Sequence, residues 1–385
     1  MTAPALFNAL TEQLRSGGRT AVLDHLAEIL IEQKDYHKLF DARCQRKKYE
    51  LELPLHQPTS FSDVPDDKRQ EFESAYMAAA REVGQYLLAD KKLGHAWMYF
   101  NAIHETESLK EAIEQRPIPS EASDESEELI DVALYKLVHP VKGIQVLLRT
   151  HGTCNTITSL DQQFRNLSPD QRSECAAILV RTLHKDLFHS VQSEVAKRLT
   201  VVSPVDTLRE LIAGRDWLFA DNNYHLDVSH LHSTVRFARS LRLNSPELAL
   251  ARDLAEYGLR LAPQFQYAGE PPFTDFYSAH INFFKFLSGE DSDAAWDYFQ
   301  QQINSVQDES EQTLIAIVLV DLLSRTSQIE KALPFAEKFL LGPNPDFVVE
   351  FSEMCQKTKR IDVLRSAAEA RGDLVTFAAA LVQLI

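Results

Sequence analysis

The chain is predicted to be all-α, an array of helix hairpins with a helical N-terminal part, and three observations carry that prediction. Apolar residues recur at three and four almost everywhere, the spacing of a helix face. Only 12 glycines occur in 385 residues, and strand-like alternation bounded by hairpin signals is scarce. The punctuation is helical: Ser168-Pro169 and Ser245-Pro246 each place a capping residue before a proline in the first turn.

The elements follow in order. Residues 21–33 and 66–88 are each long enough for a self-contained helix. Residues 94–105, GHAWMYFNAIHE, are apolar nearly all round and are therefore expected to be buried on most faces. Segments 168–189, 246–262 and 309–325 are each long enough for a self-contained helix. Two stretches interrupt the pattern: 53–66, rich in proline and polar residues, and 116–128, which combines prolines with a dense acidic run. The second reads as a solvated connector. The resulting division is a helical region over 1–116, an acidic Pro/Ser linker over 117–128 and a body over 129–385.

Composition narrows the class. A chain that is 44% hydrophobic and 25% charged has ample residues for a buried core. A net charge of -16 disfavours a grip on nucleic-acid phosphates, which needs basic patches. Cys44, Cys154, Cys175 and Cys355 are far apart and form no CxxC pair, so neither a disulfide framework nor a cysteine-based zinc module is indicated. The N-terminus lacks a basic segment followed by an apolar one, and the apolar run 314–320 is too short to cross a bilayer. A soluble, cytoplasmic protein without membrane contact is expected.

Residues 245–385 resemble the tetratricopeptide-like class of α-solenoids, in which helix hairpins of about 34 residues stack into a right-handed superhelix. One unit starts at Phe276, turns at Ser288-Gly289, and places Ala295 and Phe299 at the small and aromatic positions of its second helix. The next has Leu319 and Leu323 in its first helix, Ala332 and Ala336 in its second, and Pro343 and Pro345 after it. The stretch 245–263 resembles another second helix with its trailing proline. The Trp and Leu-Gly of the family's first helix are absent from these units. The resemblance implies stacked hairpins and a concave surface for a protein partner.

The segment 221–239, DNNYHLDVSHLHSTVRFAR, gathers three histidines and two aspartates. On a continuous helix Asp221, His225, Ser229, His232, Arg236 and Arg239 fall within about 40° of one meridian, while Leu226, His230, Phe237, Ala238 and Leu241 lie opposite. Two imidazoles and a carboxylate, His225, His232 and Asp221, are ligand types for zinc or another divalent metal. The histidines are two turns apart, about 10 Å of rise, which is long for one ion. If the helix instead begins near Asp227, His225 sits in a loop and can fold back. The plainer reading is that these side chains cap the helix and bond neighbouring backbone. Arg236 and Arg239 would bind an anionic group or pair with carboxylates, and His230 is expected in the core.

Elsewhere His95 and His104 read as buried structural histidines on opposite sides of their helix. His151 and Cys154, three apart beside Gly152, have the residue types of a Cys/His pair but no oxyanion arrangement. His280 reads as a position on the concave surface. No Walker A loop, GxGxxG, HExxH, GxSxG or EF-hand loop occurs. The leading expectation is a protein-interaction or scaffold module. The alternative is a metal-dependent helical enzyme or small-ligand-binding protein whose pocket gathers Asp221, His225, His232, Arg236, Arg239 and His151.

Overall fold

A computed structural model describes residues 3–199, 207–341 and 345–384. No strand occurs among the described residues, and the chain is all-α. It divides into two compact units, Met1–Arg165 and Asn166–Ile385.

In the first unit α1 (Ala3–Glu32) bends at Gly18, where φ is 80°. The helices α2 (Tyr36–Glu50), α3 (Asp66–Ala89) and α4 (Leu93–Ala102) follow, each packed on its predecessor. The polar stretch 53–66 is tied down by Lys48, whose fully buried ammonium donates to the Gln57 carbonyl and the Asp63 carboxylate, both at 2.6 Å. Then come α5 (Glu107–Glu114), α6 (Asp124–Ile130), a π-helical turn Asp131–Tyr135 and α7 (Pro140–Gln163).

Two expectations change here. The stretch read as a linker, 117–128, lies inside the first unit, and its acidic half is the first turn of α6. Ser123 and Ser126 close a capping box there, and Asp124, Glu125 and Glu127 sit at the positive end of the helix dipole. The helix over 94–105 is also less enclosed than its composition suggested. Only Leu93, Ala96 and Phe100 of α4 are buried, Met98 is 56% exposed, and His95 and His104 both face solvent.

In the second unit α8 (Pro169–Arg198) starts from a Ser168/Gln171 capping box and carries α10 (Val228–Phe237) and α11 (Glu247–Leu259). Between them lie α9 (Leu208–Ile212) and a 3-10 segment Asp216–Asn222. From α11 onward each helix packs on the next: α12 (Phe276–Ser288), α13 (Ser292–Ser305), α14 (Glu309–Arg325), α15 (Ile329–Phe335) with a π-helical extension Ala336–Leu340, α16 (Pro345–Lys357), α17 (Ile361–Arg371) and α18 (Leu374–Gln383). Gly289 ends α12 in the left-handed conformation, as the Ser-Gly turn predicts. Ala295, Phe299, Leu319, Leu323, Ala332 and Ala336 are all buried between these helices. Pro343 lies outside the described residues. Among the described residues no helix is long and apolar enough to cross a membrane.

Candidate functional site

The segment singled out in the sequence is not one helix. Asp221 and Asn222 have φ of 56° and 62°, left-handed values that Asp and Asn tolerate, and they turn the chain before α10 begins. Asp227 caps α10, its Oδ1 accepting from the Ser229 amide at 2.8 Å and the His230 amide at 3.3 Å. Asp221 is therefore exposed and off the α10 face. His225 precedes the helix, as the later of the two sequence readings requires.

His225 is held by Tyr257 of α11. The phenol oxygen accepts from the His225 backbone N–H at 2.9 Å and is hydrogen-bonded to Nδ1 at 3.0 Å. Burial lowers the imidazole below its usual range, so it is neutral at pH 7.

His232 packs where solvent was expected. Its ring stacks on Phe276 at 3.9 Å, with Tyr267 edge-on at 5.1 Å. Burial, then the charges of Arg236 and Arg239, lower its pKa to about 4. His230, expected in the core, is only half-buried because it occupies the first turn, and the buried positions of α10 are Leu231, Thr234, Val235 and Phe237.

His280 is wholly buried rather than on a concave surface. Its Nδ1–H donates to the Phe276 carbonyl at 2.6 Å, which leaves Nε2 as a bare lone pair, and the ring centroids of Phe273 and Phe276 are 4.3 and 4.2 Å from that of His280. Burial and the Arg239 charge hold it well below the ordinary histidine range. The Arg239 guanidinium lies 4.5 Å over Phe273, and Nε donates to the Arg236 carbonyl at 3.2 Å. Desolvation brings Arg239 down to about 10. Tyr277 lies flat against Gly258, where any side chain would collide with its ring.

These residues share one property. Of the eight buried side-chain polar atoms without a hydrogen-bond partner among the described residues, five are here: His225 Nε2, His232 Nε2, Thr234 Oγ1, Tyr277 Oη and His280 Nε2. Native interiors satisfy nearly all such groups, so the concentration on α10–α12 and its approach marks this cluster out.

Asp221, His225 and His232 are not brought together as metal ligands, and no group of three or more His, Cys, Asp or Glu able to hold a metal occurs among the described residues. The positive neighbours of His232 and His280 also oppose a cation. His151 belongs to the first unit, where Nε2 pairs with Glu127 at 2.9 Å and Nδ1 with Thr150 at 2.7 Å. Gly152, with φ 78°, kinks α7 between His151 and the exposed Cys154. Tyr257, Phe273, Phe276 and Tyr277 escaped the sequence reading. The signal for the last three was the row Phe273, Phe276/Tyr277, His280, Phe283/Phe284, which repeats at three and four.

A concavity lies in the C-terminal half of the second unit. A groove of about 620 Å³ is lined by Glu309, Gln312 and Thr313 of α14, by Lys338 and Phe339 of the π-helical extension, and by Ser366, Ala367, Ala370 and Arg371 of α17. Its α17 wall is small at Ser366, Ala367 and Ala370 and carries Arg371 beside them, and charges of both signs stand around the groove.

The fold and these sites define an all-α protein with stacked helices in its second unit. The chain matches no family model, no curated protein and no solved structure.

Proposed function

We propose that the chain is a helical-repeat protein-interaction module, a tetratricopeptide-like α-solenoid in its second unit, and that its partner binds in the groove between α14 and α17. The observation that carries this reading is the groove itself, at the end of a run of helices each packed on its sequence neighbour. Its volume of about 620 Å³ is that of a pocket holding a few side chains. The small Ser366, Ala367 and Ala370 give a partner close access to backbone, and Lys338, Arg371, Glu309 and Glu337 offer both signs of charge for orientation. The test is selection of displayed peptides on the full chain, followed by titration against Ala370→Arg. Peptides that lose at least tenfold in affinity, with an unchanged melting temperature, support the reading. Peptides that bind the variant as tightly as the parent contradict it.

A second reading, binding of a small polar ligand at α10–α12, is favoured by the five unpartnered atoms gathered there. Neutral imidazoles beside guanidinium groups suit a neutral or anionic molecule with hydroxyl donors. Tyr267 and Phe273 cover His232 and His280, so a ligand would have to displace those rings.

A further inference from the structure

In the first unit the fold brings together two exposed histidines that are far apart in sequence, His37 in the first turn of α2 and His95 in the first turn of α4. Their ring centroids are 5.2 Å apart and their planes are inclined by 59°. His37 Nδ1 is hydrogen-bonded to the Tyr99 hydroxyl at 2.7 Å. Burial, then Asp41, pushes the Tyr99 phenol up to about 12, so it keeps its proton at neutral pH. In the tautomer whose Nδ1–H donates to Tyr99, His37 presents the lone pair of Nε2. This is how metal-binding imidazoles are held, the second nitrogen fixed by an oxygen.

We propose that His37 and His95 are the two protein ligands of a surface site for a divalent transition-metal ion, with Tyr99 positioning His37. The separation of the rings carries the argument. A metal–nitrogen bond of about 2.0–2.1 Å plus a ring radius of about 1.1 Å puts each centroid about 3.1–3.2 Å from the ion, and at a tetrahedral angle of about 109° two such centroids lie about 5.0–5.2 Å apart. The rings are thus spaced as two imidazoles on one tetrahedral ion would be, and water fills what the protein leaves open. Imidazole pairs select zinc, copper or nickel. Magnesium and calcium need oxygen ligands and are not expected to bind.

The test is calorimetric titration of the full chain with zinc sulfate at neutral pH, with magnesium chloride as the control cation. The parent should take up one ion that His37→Ala and His95→Ala each lose or bind at least tenfold more weakly. His56→Ala, an exposed histidine elsewhere in the unit, should titrate like the parent. Tyr99→Phe should weaken binding by about tenfold while leaving the stoichiometry intact. With Cu²⁺ in place of zinc, the electron paramagnetic resonance spectrum of the parent should show coupling to two imidazole nitrogens, a readout independent of how the variants fold. A parent that takes up no ion, a copper spectrum with no imidazole pair, or a His37→Ala/His95→Ala chain that binds with the parent's stoichiometry and affinity would each overturn the proposal.

Discussion

Tyr257 and Tyr277 are both buried tyrosines of the α11–α12 layer, yet removing the hydroxyl from each should change stability in opposite directions. The Tyr257 oxygen takes the His225 backbone N–H at 2.9 Å and bonds Nδ1 at 3.0 Å. Tyr257→Phe forfeits both contacts and strands a backbone donor. Two net hydrogen bonds at about 0.5–1.5 kcal/mol each, with the penalty for the stranded N–H, give a loss of about 2–3 kcal/mol. The Tyr277 hydroxyl is buried with no partner. Tyr277→Phe keeps the ring against Gly258, strands nothing, and relieves a desolvated polar group, so it should be neutral or stabilising by about 1 kcal/mol. For a unit of this size 1 kcal/mol moves the melting temperature by about 2–4 °C. Differential scanning calorimetry should therefore show Tyr257→Phe melting clearly below the parent and Tyr277→Phe at or above it. Equal destabilisation by the two variants would refute the reasoning, because the Tyr277 hydroxyl would then have a partner of its own.

Acid should loosen the second unit through its histidines. Because the folded-state pKa of His232 is depressed to about 4 from 6.5, its contribution is complete above about pH 6.5 and is lost as pH falls toward 4, with no further loss from this group below that. The shift is worth about 3 kcal/mol, and urea titrations should show the parent losing that much more than His232→Gln over the interval. A His232→Gln chain with the parent's pH profile would contradict the burial of that ring. In the first unit, Lys48→Met deprives the partly exposed Asp63 carboxylate and the Gln57 carbonyl of a buried ammonium and should destabilise by about 1–3 kcal/mol, read as a lower denaturant midpoint. A variant as stable as the parent would mean that the 53–66 stretch is not held by Lys48.

The helices were legible because their faces are simple. The expected helix 309–325 coincides with α14, which Asp308 caps at its start and Thr326 at its end. Ser168 announced α8 for the same reason, whereas Ser245 bonds the Glu247 carboxylate and Pro246 occupies the cap position of α11. The acidic run at 124–128 misled because composition alone does not separate a solvated connector from a helix N-terminus. The histidines were the least legible. A helical wheel places His230 and His232 on opposite sides but says nothing of what arrives from α12, and it is the rings of Phe276 and Phe273 that bury His232 and His280. His37 and His95 were invisible as a pair because the contact between α2 and α4 is tertiary.

Hydrogen exchange on the full chain, with and without a peptide selected for binding, tests the central proposal most directly. Added protection is expected in the first turns of α14, in the π-helical extension 336–340 and across 366–371 of α17, with α10 to α12 unchanged. Protection confined to α10–α12, or a bound peptide that leaves the exchange of α14 and α17 untouched, would contradict it.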